Sequence, residues 1–139
     1  MILIHASCVA IDGRAVLLAG GSGSGKSDLA LRLIDRGAAL VSDDYTQVRG
    51  AGDRLYASAP STIAGKIEMR GVGIVEMTAR GEAPVCLHLD LESMPERLPD
   101  PQTVDLDGLS LPSLALRALE ASAPLKVERA LLLHGLLLA

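Results

Sequence analysis

A chain of 139 residues has the usual length of one domain, and its 49% hydrophobic composition suffices for a buried core. Two Tyr with no Phe or Trp make that core aliphatic, and they argue against single-stranded nucleic acid as a ligand because its bases usually stack on aromatic side chains. The net charge of −4 also argues against nucleic acid, because binding its phosphate backbone requires a basic surface.

The two cysteines and the apolar runs indicate where the protein works. Cys8 and Cys86 lie in apolar stretches without zinc spacing or a C-x-x-C pattern, so we expect buried thiols in a reducing compartment. The first residues do not resemble a secretory signal, and the longest apolar run is too short to span a bilayer. We therefore expect a cytoplasmic protein that does not enter a membrane.

The first part of the chain alternates strands with one helix. In order, we predict a strand over 2–11, a turn at Asp12-Gly13, a strand over 15–19, a glycine-rich loop over 20–25, a helix over 28–35 ended by Gly37, and a strand over 39–42.

The second part is richer in hairpins. We predict a hairpin over 46–49 and 55–58, a mixed segment over 67–77, a strand over 85–91, a proline-containing loop over 93–101, a hairpin around Asp107-Gly108, and a helix over 126–138 that starts near Ser122. Together these elements predict a single α/β domain over 1–139, with a mixed sheet and flanking helices.

The glycine-rich loop carries the clearest chemical signal. Its residues match G-x-x-x-x-G-K-[ST] in full: Gly20, Gly21, Ser22, Gly23, Ser24, Gly25, Lys26 and Ser27. Glycines let consecutive N–H groups point at phosphate oxygens, and the following helix adds its positive N-terminal dipole. Lys26 would reach the β- and γ-phosphates, and the Ser27 hydroxyl is a suitable Mg²⁺ ligand. The pattern predicts that the loop binds a nucleoside triphosphate, since a strand precedes the loop and a helix follows it.

An acidic pair follows the strand after this helix. Asp43 and Asp44 could divide their work, with one carboxylate facing the metal and the other accepting a proton from an incoming hydroxyl. The alternative is an exposed acidic turn at a strand end, where Asp is common. Beside a P-loop we favour the functional interpretation.

Several P-loop classes lack support in this sequence. It has no Asn-Lys-x-Asp guanine-recognition motif, no Leu-Ser-Gly-Gly signature of ABC ATPases, and no arginine cluster like the lid of adenylate-type kinases. A small-molecule kinase is the weaker alternative, because no acceptor motif is visible.

Four features together resemble the catalytic domain of the bacterial HPr kinase/phosphorylase family. They are His5 before the P-loop, the loop with its helix through Gly37, the pair Asp43-Asp44, and Ile67-Glu-Met-Arg-Gly-Val-Gly-Ile74. The resemblance covers roughly residues 3–118. It is closest to the compact alphaproteobacterial type, which comprises only the catalytic domain.

The resemblance implies a P-loop fold like that of PEP carboxykinase and an oligomeric enzyme. Such an enzyme uses ATP or pyrophosphate with Mg²⁺ to phosphorylate a serine of HPr, the phosphocarrier of the sugar phosphotransferase system, and some members reverse the reaction by phosphorolysis. Carried over, the catalytic residues would be His5, Lys26, Asp44 and Arg117, and the metal ligands Ser27, Asp43 and Glu68. Pro112 stands at the family's spacing before Arg117, but the local glycine is missing.

Other interpretations stay open at several residues. His5 could orient Asp44, contact phosphate, or be an ordinary strand histidine, and Arg70 could be a phosphate contact or a surface charge. We expect His88 and His134 to be structural. A nucleotide- or phosphate-sensing module without phosphoryl transfer is the alternative function. The leucine-rich segment 126–138 predicts a homo-oligomer interface, unless the end of the chain frays.

Overall fold

The computed structural model describes residues 1–138, and within this range the fold has eleven strands and two helices. The strands are β1 Ile2–Ile4, β2 Ala6–Ile11, β3 Arg14–Ala19, β4 Ala39–Ser42, β5 Thr46–Ala51, β6 Arg54–Ser58, β7 Lys66–Met69, β8 Gly73–Glu76, β9 Ala83–Asp90, β10 Gln102–Leu106 and β11 Leu109–Ala115. The helices are α1 Lys26–Asp35 and α2 Ala123–His134.

Nine of these strands form one mixed sheet. Its order is β1-β5-β6-β9-β3-β2-β4, with β11 also pairing with β9 and β10 pairing with β11. The β3–β9 and β9–β11 pairs are parallel, whereas the other pairs in the sheet are antiparallel. Strands β7 and β8 form a separate antiparallel hairpin.

The parallel pair β3–β9 determines where the glycine-rich loop over 20–25 lies. Ala19, the last residue of β3, is in register with Asp90, the last residue of β9. Both strands therefore end at the same edge of the sheet, where α/β proteins commonly bind ligands. The segment 20–25 leaves this edge and leads directly into α1.

Strand β3 is buried on both faces, because the curled sheet packs helices on one side and its own outer strands on the other. Val16 and Leu18 join the apolar cluster that includes Leu29 and Leu33 of α1 and Val127 of α2. The alternate residues of β3 join a second cluster with Val48, Leu55 and Leu111. Successive residues of a strand face opposite sides of the sheet, and here both sides are buried. This is why Ala-Val-Leu-Leu is apolar at every position.

The predicted turns and hairpins are confirmed. Asp12 and Gly13 have φ of 51° and 80°, the left-handed conformations that a tight hairpin turn requires. The hairpins β5–β6 and β10–β11 form as predicted, and the mixed segment 67–77 is the β7–β8 hairpin. The predicted strand over 2–11 is wrong in one respect, since it is split at His5 into β1, which pairs with β5, and β2, which pairs with β3 and β4.

The prediction of a helix through residue 138 is wrong at its end. α2 starts after Ser122 as expected, but it stops at His134, and Gly135 is extended with φ of −68° and ψ of 155°. The Leu136 N–H donates to the Cys86 carbonyl at 2.9 Å, and Arg14 donates to the carbonyls of Leu131 and Leu136. These tertiary contacts draw the chain onto the sheet instead of continuing the helix.

Both thiols lie in the core, as expected. Cys8 and Cys86 are fully buried and unpaired, and burial raises the pKa of the Cys8 thiol. Among residues 1–138 we find no helix that is both long and apolar enough to cross a membrane.

Candidate functional site

The loop over 20–25 is shaped by glycines in conformations that other residues rarely adopt. Gly23 and Gly25 have φ of 85° and 94°, and Gly25 is the N-cap of α1. A Cβ on Gly25 would lie 3.0 Å from side-chain atoms of Ala118 and Leu119, so space as well as φ favours glycine there. The Gly20 N–H donates to the His5 carbonyl at 3.2 Å, which anchors the start of the loop next to the β1–β2 break.

Lys26 lies folded back over this loop. It is 4% exposed, and its Nζ donates to the Gly21 carbonyl at 3.0 Å and lies 3.3 Å from Oδ1 of Asp44. A buried ammonium needs such partners, because an unpaired charge away from water is costly. The cation is therefore held where the loop and the acidic pair meet.

Asp43 is buried among hydrogen-bond donors from three different elements. Its Oδ1 accepts from the hydroxyls of Ser7 at 2.8 Å and Ser27 at 2.6 Å, and its Oδ2 accepts from the Glu68 N–H at 3.0 Å. Asp43 is only 6% exposed, so these donors replace the water molecules that would otherwise hydrogen-bond its carboxylate. Asp43 thus ties together β2, the start of α1 and β7.

Asp44 points the other way, toward solvent. Its φ of 66° is unusual for a residue other than glycine, and such conformations cluster at functional sites. The side chain is 49% exposed, and Oδ1 lies 2.8 Å from Nε2 of His5 and 3.3 Å from Nζ of Lys26. The backbone turn therefore sends two adjacent carboxylates to different sites, one enclosed and one accessible.

An open pocket of about 440 Å³ lies in front of these groups. The P-loop and α1 form one wall, and the β7–β8 hairpin forms the opposite wall with Glu68 and Arg70. Leu31, Val72 and Leu119 supply apolar surface. The space combines a cation, a carboxylate and loop amides, which suits a phosphorylated ligand with an apolar portion.

The donor set fits a magnesium ion. Two hard oxygens, Oγ of Ser27 and Oδ1 of Asp43, lie 2.6 Å apart, and both Ser27 and Glu68 line the pocket. In residues 1–138 no group of three His, Cys, Asp or Glu side chains is arranged as a metal site. Mg²⁺ with a nucleotide does not need one, since it commonly takes one or two carboxylates and completes its shell with phosphate oxygens and water.

The structure thus brings His5, Lys26, Ser27, Asp43 and Asp44 into one hydrogen-bonded group. Glu68 joins this group through its backbone N–H and is one of the residues that line the pocket.

Arg117 is placed apart from this group. It is exposed, is not among the pocket-lining residues, and its Nη2 lies 2.6 Å from Sδ of Met94.

Three residues next to the site were not singled out from the sequence. Ser7 contacts Asp43, Tyr45 stacks on His5, and Glu92 accepts a hydrogen bond from the Gly21 N–H. Glu92 is held there because the N–H groups of Glu92 and Ser93 donate to Oδ1 of Asp90 at 2.9 and 3.2 Å. One feature of the sequence could have indicated Glu92: it lies just after a strand, and α/β proteins commonly place site residues beyond the carboxyl ends of parallel strands.

His88 has the structural surroundings expected of it. Its Nδ1 lies 2.8 Å from the Ser113 hydroxyl, across the parallel β9–β11 pair. Burial lowers the pKa of His88 below its usual value, and the Asp90 charge opposes that shift. The ring is therefore favoured in its neutral form.

The chain matches a described family over much of its length. The family "HPr Serine kinase C-terminal domain" matches residues 1–90. The HPr kinase/phosphorylase of Geobacillus thermodenitrificans is 37% identical over 129 residues, which is 87% of this chain and 40% of that protein. The enzyme of the same name from Caldanaerobacter subterraneus subsp. tengcongensis is 48% identical over 77 residues, 55% of this chain and 25% of that protein.

A solved structure agrees with these relatives. The Hpr(Ser) kinase/phosphatase from Coxiella burnetii superposes with a TM-score of 0.79 at 30% identity, covering 93% of each chain. The predicted α/β fold with a mixed sheet and flanking helices is thereby confirmed. The chain spans only 25% to 40% of the two curated relatives described above. Because the family match covers residues 1–90 of 139, more than half of the sequence, this chain belongs to the HPr serine kinase C-terminal domain family.

Proposed function

We propose that this chain is an ATP-dependent serine kinase that acts on an HPr-type phosphocarrier protein, with residues 1–139 as one catalytic domain. The observation that carries this proposal is the accessible Asp44 carboxylate, 3.3 Å from the P-loop lysine at the rim of a pocket of about 440 Å³. A phosphate-binding loop alone would suit many proteins. An exposed carboxylate beside its lysine supports proton transfer from an acceptor hydroxyl.

The proposed transfer uses the residues of this site in distinct roles. The serine hydroxyl of the acceptor loses its proton to Asp44 as its oxygen bonds to the γ-phosphorus, and the bond from that phosphorus to the bridging oxygen of ADP breaks. Lys26 and the loop N–H groups stabilise the charge on the transferred phosphoryl group. Ser27, Asp43 and Glu68 would hold Mg²⁺, whose charge neutralises the phosphates when it is bound.

His5 and Arg117 are assigned with different degrees of structural support. The 2.8 Å contact between His5 and Asp44 supports a role for the imidazole in orienting the proton acceptor. Arg117 stays a proposed catalytic residue, although its side chain lies against Met94 in this structure.

The family names extend the proposal to a second activity. Relatives of this chain are named HPr kinase/phosphorylase, which supports HPr as the partner and phosphorolysis of the serine phosphate as a reverse reaction. In that direction Asp44 would return its proton to the serine oxygen. Pyrophosphate is the alternative donor. Two buried, unpaired thiols support a cytoplasmic location, and we propose a homo-oligomer on the basis of the exposed C-terminal leucines.

A transfer assay with purified HPr tests this function. We expect [γ-³²P]ATP to label HPr in the presence of Mg²⁺ and Lys26→Ala to abolish the label, because the buried ammonium is lost from the phosphate site. Lys126→Ala is the matched control, since Lys126 is 50% exposed on α2 and far along the chain from the loop. It should label HPr like the wild type.

The same experiment separates the kinase from a sensing module. Nucleotide binding measured by calorimetry, without any label on HPr or release of phosphate, would refute the kinase and support the module. Undiminished labelling by Lys26→Ala would show that the P-loop is not the catalytic centre.

A further inference from the structure

An aromatic ring lies against the imidazole of the site. The rings of His5 and Tyr45 are stacked, with centroids 4.7 Å apart and planes inclined by 8°. Aromatic rings are rare in this chain, which has two Tyr and no Phe or Trp. The other tyrosine, Tyr56 on β6, lies under the guanidinium of Arg49.

Two hydrogen bonds hold the backbone of Tyr45 in a turn. The Tyr45 N–H donates to the Asp43 carbonyl at 2.7 Å, and the Tyr45 carbonyl accepts from the Ser42 hydroxyl. Between them, Asp44 adopts its positive φ of 66°. One turn therefore directs three successive side chains: Asp43 into the buried serines, Asp44 to the pocket, and Tyr45 back over His5.

His5 needs such a support because of where it lies. It occupies the break between β1 and β2, its side chain is 33% exposed, and it contacts Asp44 through Nε2 alone. A single hydrogen bond leaves a partly exposed imidazole free to rotate about its χ angles. A flat ring packed on its face removes that freedom, and such a stack also contributes favourable energy of its own.

We propose that Tyr45 is a positioning residue that acts through His5 to hold Asp44 in the geometry for phosphoryl transfer, an inference that rests on the proposed kinase function. With His5 fixed, Oδ1 of Asp44 is occupied by His5 and Lys26, and Oδ2 is left to face the acceptor hydroxyl. The ring, and not its hydroxyl, supplies this effect. The nucleotide cradle is separate, since Tyr45 is not among the residues that line the pocket.

Replacing the ring should therefore reduce the rate of transfer without weakening nucleotide binding. We expect Tyr45→Leu to lower kcat roughly three- to tenfold while KM for ATP stays within a factor of two, on the energy scale of an aromatic pair. Tyr45→Phe should restore kcat, because it keeps the stacked ring. Tyr56→Leu is the control for loss of a tyrosine elsewhere, and it should leave both constants unchanged.

A double-mutant comparison shows whether Tyr45 works through His5. In a His5→Ala background, Tyr45→Leu should have little further effect on kcat, because the ring then has nothing to orient. A full additional loss in that background would overturn the inference. So would a Tyr45→Phe variant that is as slow as Tyr45→Leu.

The stack can also be measured without any activity. In NMR spectra of the folded protein, the ring protons of His5 should shift on Tyr45→Leu and keep their positions on Tyr45→Phe, because a ring current requires the aromatic face. Unchanged His5 resonances in Tyr45→Leu, with normal transfer by the wild type, overturn this inference alone. A wild-type protein that transfers no phosphate to HPr refutes the proposed function, and the role of Tyr45 in transfer fails with it.

Discussion

The hydroxyl of Ser7 donates to Oδ1 of Asp43 at 2.8 Å and accepts a hydrogen bond from the N–H of Asp44 at 3.0 Å. Ser7 is fully buried on β2, directly beside β4, the strand that leads into the pair. The β2–β4 register shifts between Cys8 and Val9, one residue from Ser7. A single small side chain thus holds the buried carboxylate and the backbone of the accessible one.

Ser7→Ala should destabilise the fold. It removes one donor to the buried Asp43 and leaves the Asp44 N–H without this acceptor, a loss of about 1–3 kcal/mol of unfolding free energy. Urea denaturation followed by circular dichroism measures it, with Ser61→Ala at an exposed turn as the control. Equal midpoints for Ser7→Ala and the wild type would contradict this account of the acidic pair.

Asp44→Asn should suppress turnover far more than nucleotide affinity. Asparagine keeps the shape and tolerates the positive φ of 66°, but it cannot accept the proton, so we expect kcat to fall by roughly 10²–10⁴. Steady-state kinetics with HPr and calorimetric titration with ADP provide the two measurements. A fall in affinity that matches the fall in kcat would argue for a binding role instead.

Asp43→Asn should instead raise the magnesium concentration needed for half-maximal activity. The substitution removes charge beside Ser27, where we expect the cation, while the amide can still fill the buried space. A magnesium titration compares it with Asp44→Asn. If the requirement moves for Asp44→Asn and not for Asp43→Asn, the two roles are reversed.

The C-terminal leucines should join subunits. Leu133 on α2 and Leu137 beyond its end are 77% and 72% exposed, whereas Leu131 on α2 is buried in the core. Such exposed apolar surface is unusual in a monomer. We expect an oligomer by light scattering at micromolar concentration and dissociation on replacing Leu133 and Leu137 by Glu.

Leu98→Glu is the matched control for that experiment, because Leu98 is at least as exposed but lies in the loop after β9. It should keep the oligomer. A monomeric wild type whose mass does not change in any of the variants would exclude the interface.

His88 should make the fold sensitive to mild acid. Burial holds its pKa in the folded chain below the usual 6.5, so the unfolded chain binds the proton more readily. The contribution of neutral His88 is present above pH 6.5, and stability is lost as the pH falls below that value. His88→Gln should therefore lose less stability than the wild type between pH 7.5 and 5.5 in urea melts. His134→Gln, on the last turn of α2, should behave like the wild type.

Local patterns were enough to predict most of the elements. The turns at Asp12-Gly13 and Asp107-Gly108 need left-handed residues, and both occur where the sequence indicates them. The P-loop was recognisable because its chemistry requires a fixed spacing within eight residues and a strand and helix on either side. The adjacency of Asp43 and Asp44 was equally plain, but their opposite directions were not, because these depend on the positive φ of Asp44.

Contacts between distant segments were decided only by the tertiary structure. Ser7 meets Asp43 across 36 positions, and Glu92 meets Gly21 across 71, so no local pattern could pair them. The end of α2 was mispredicted for the same reason: leucine periodicity continues to residue 138, but Arg14 and the Cys86 carbonyl hold the last residues against the sheet. The chemical groups of the site could thus be named from spacing, whereas their mutual orientation depends on which strands the chain folds side by side.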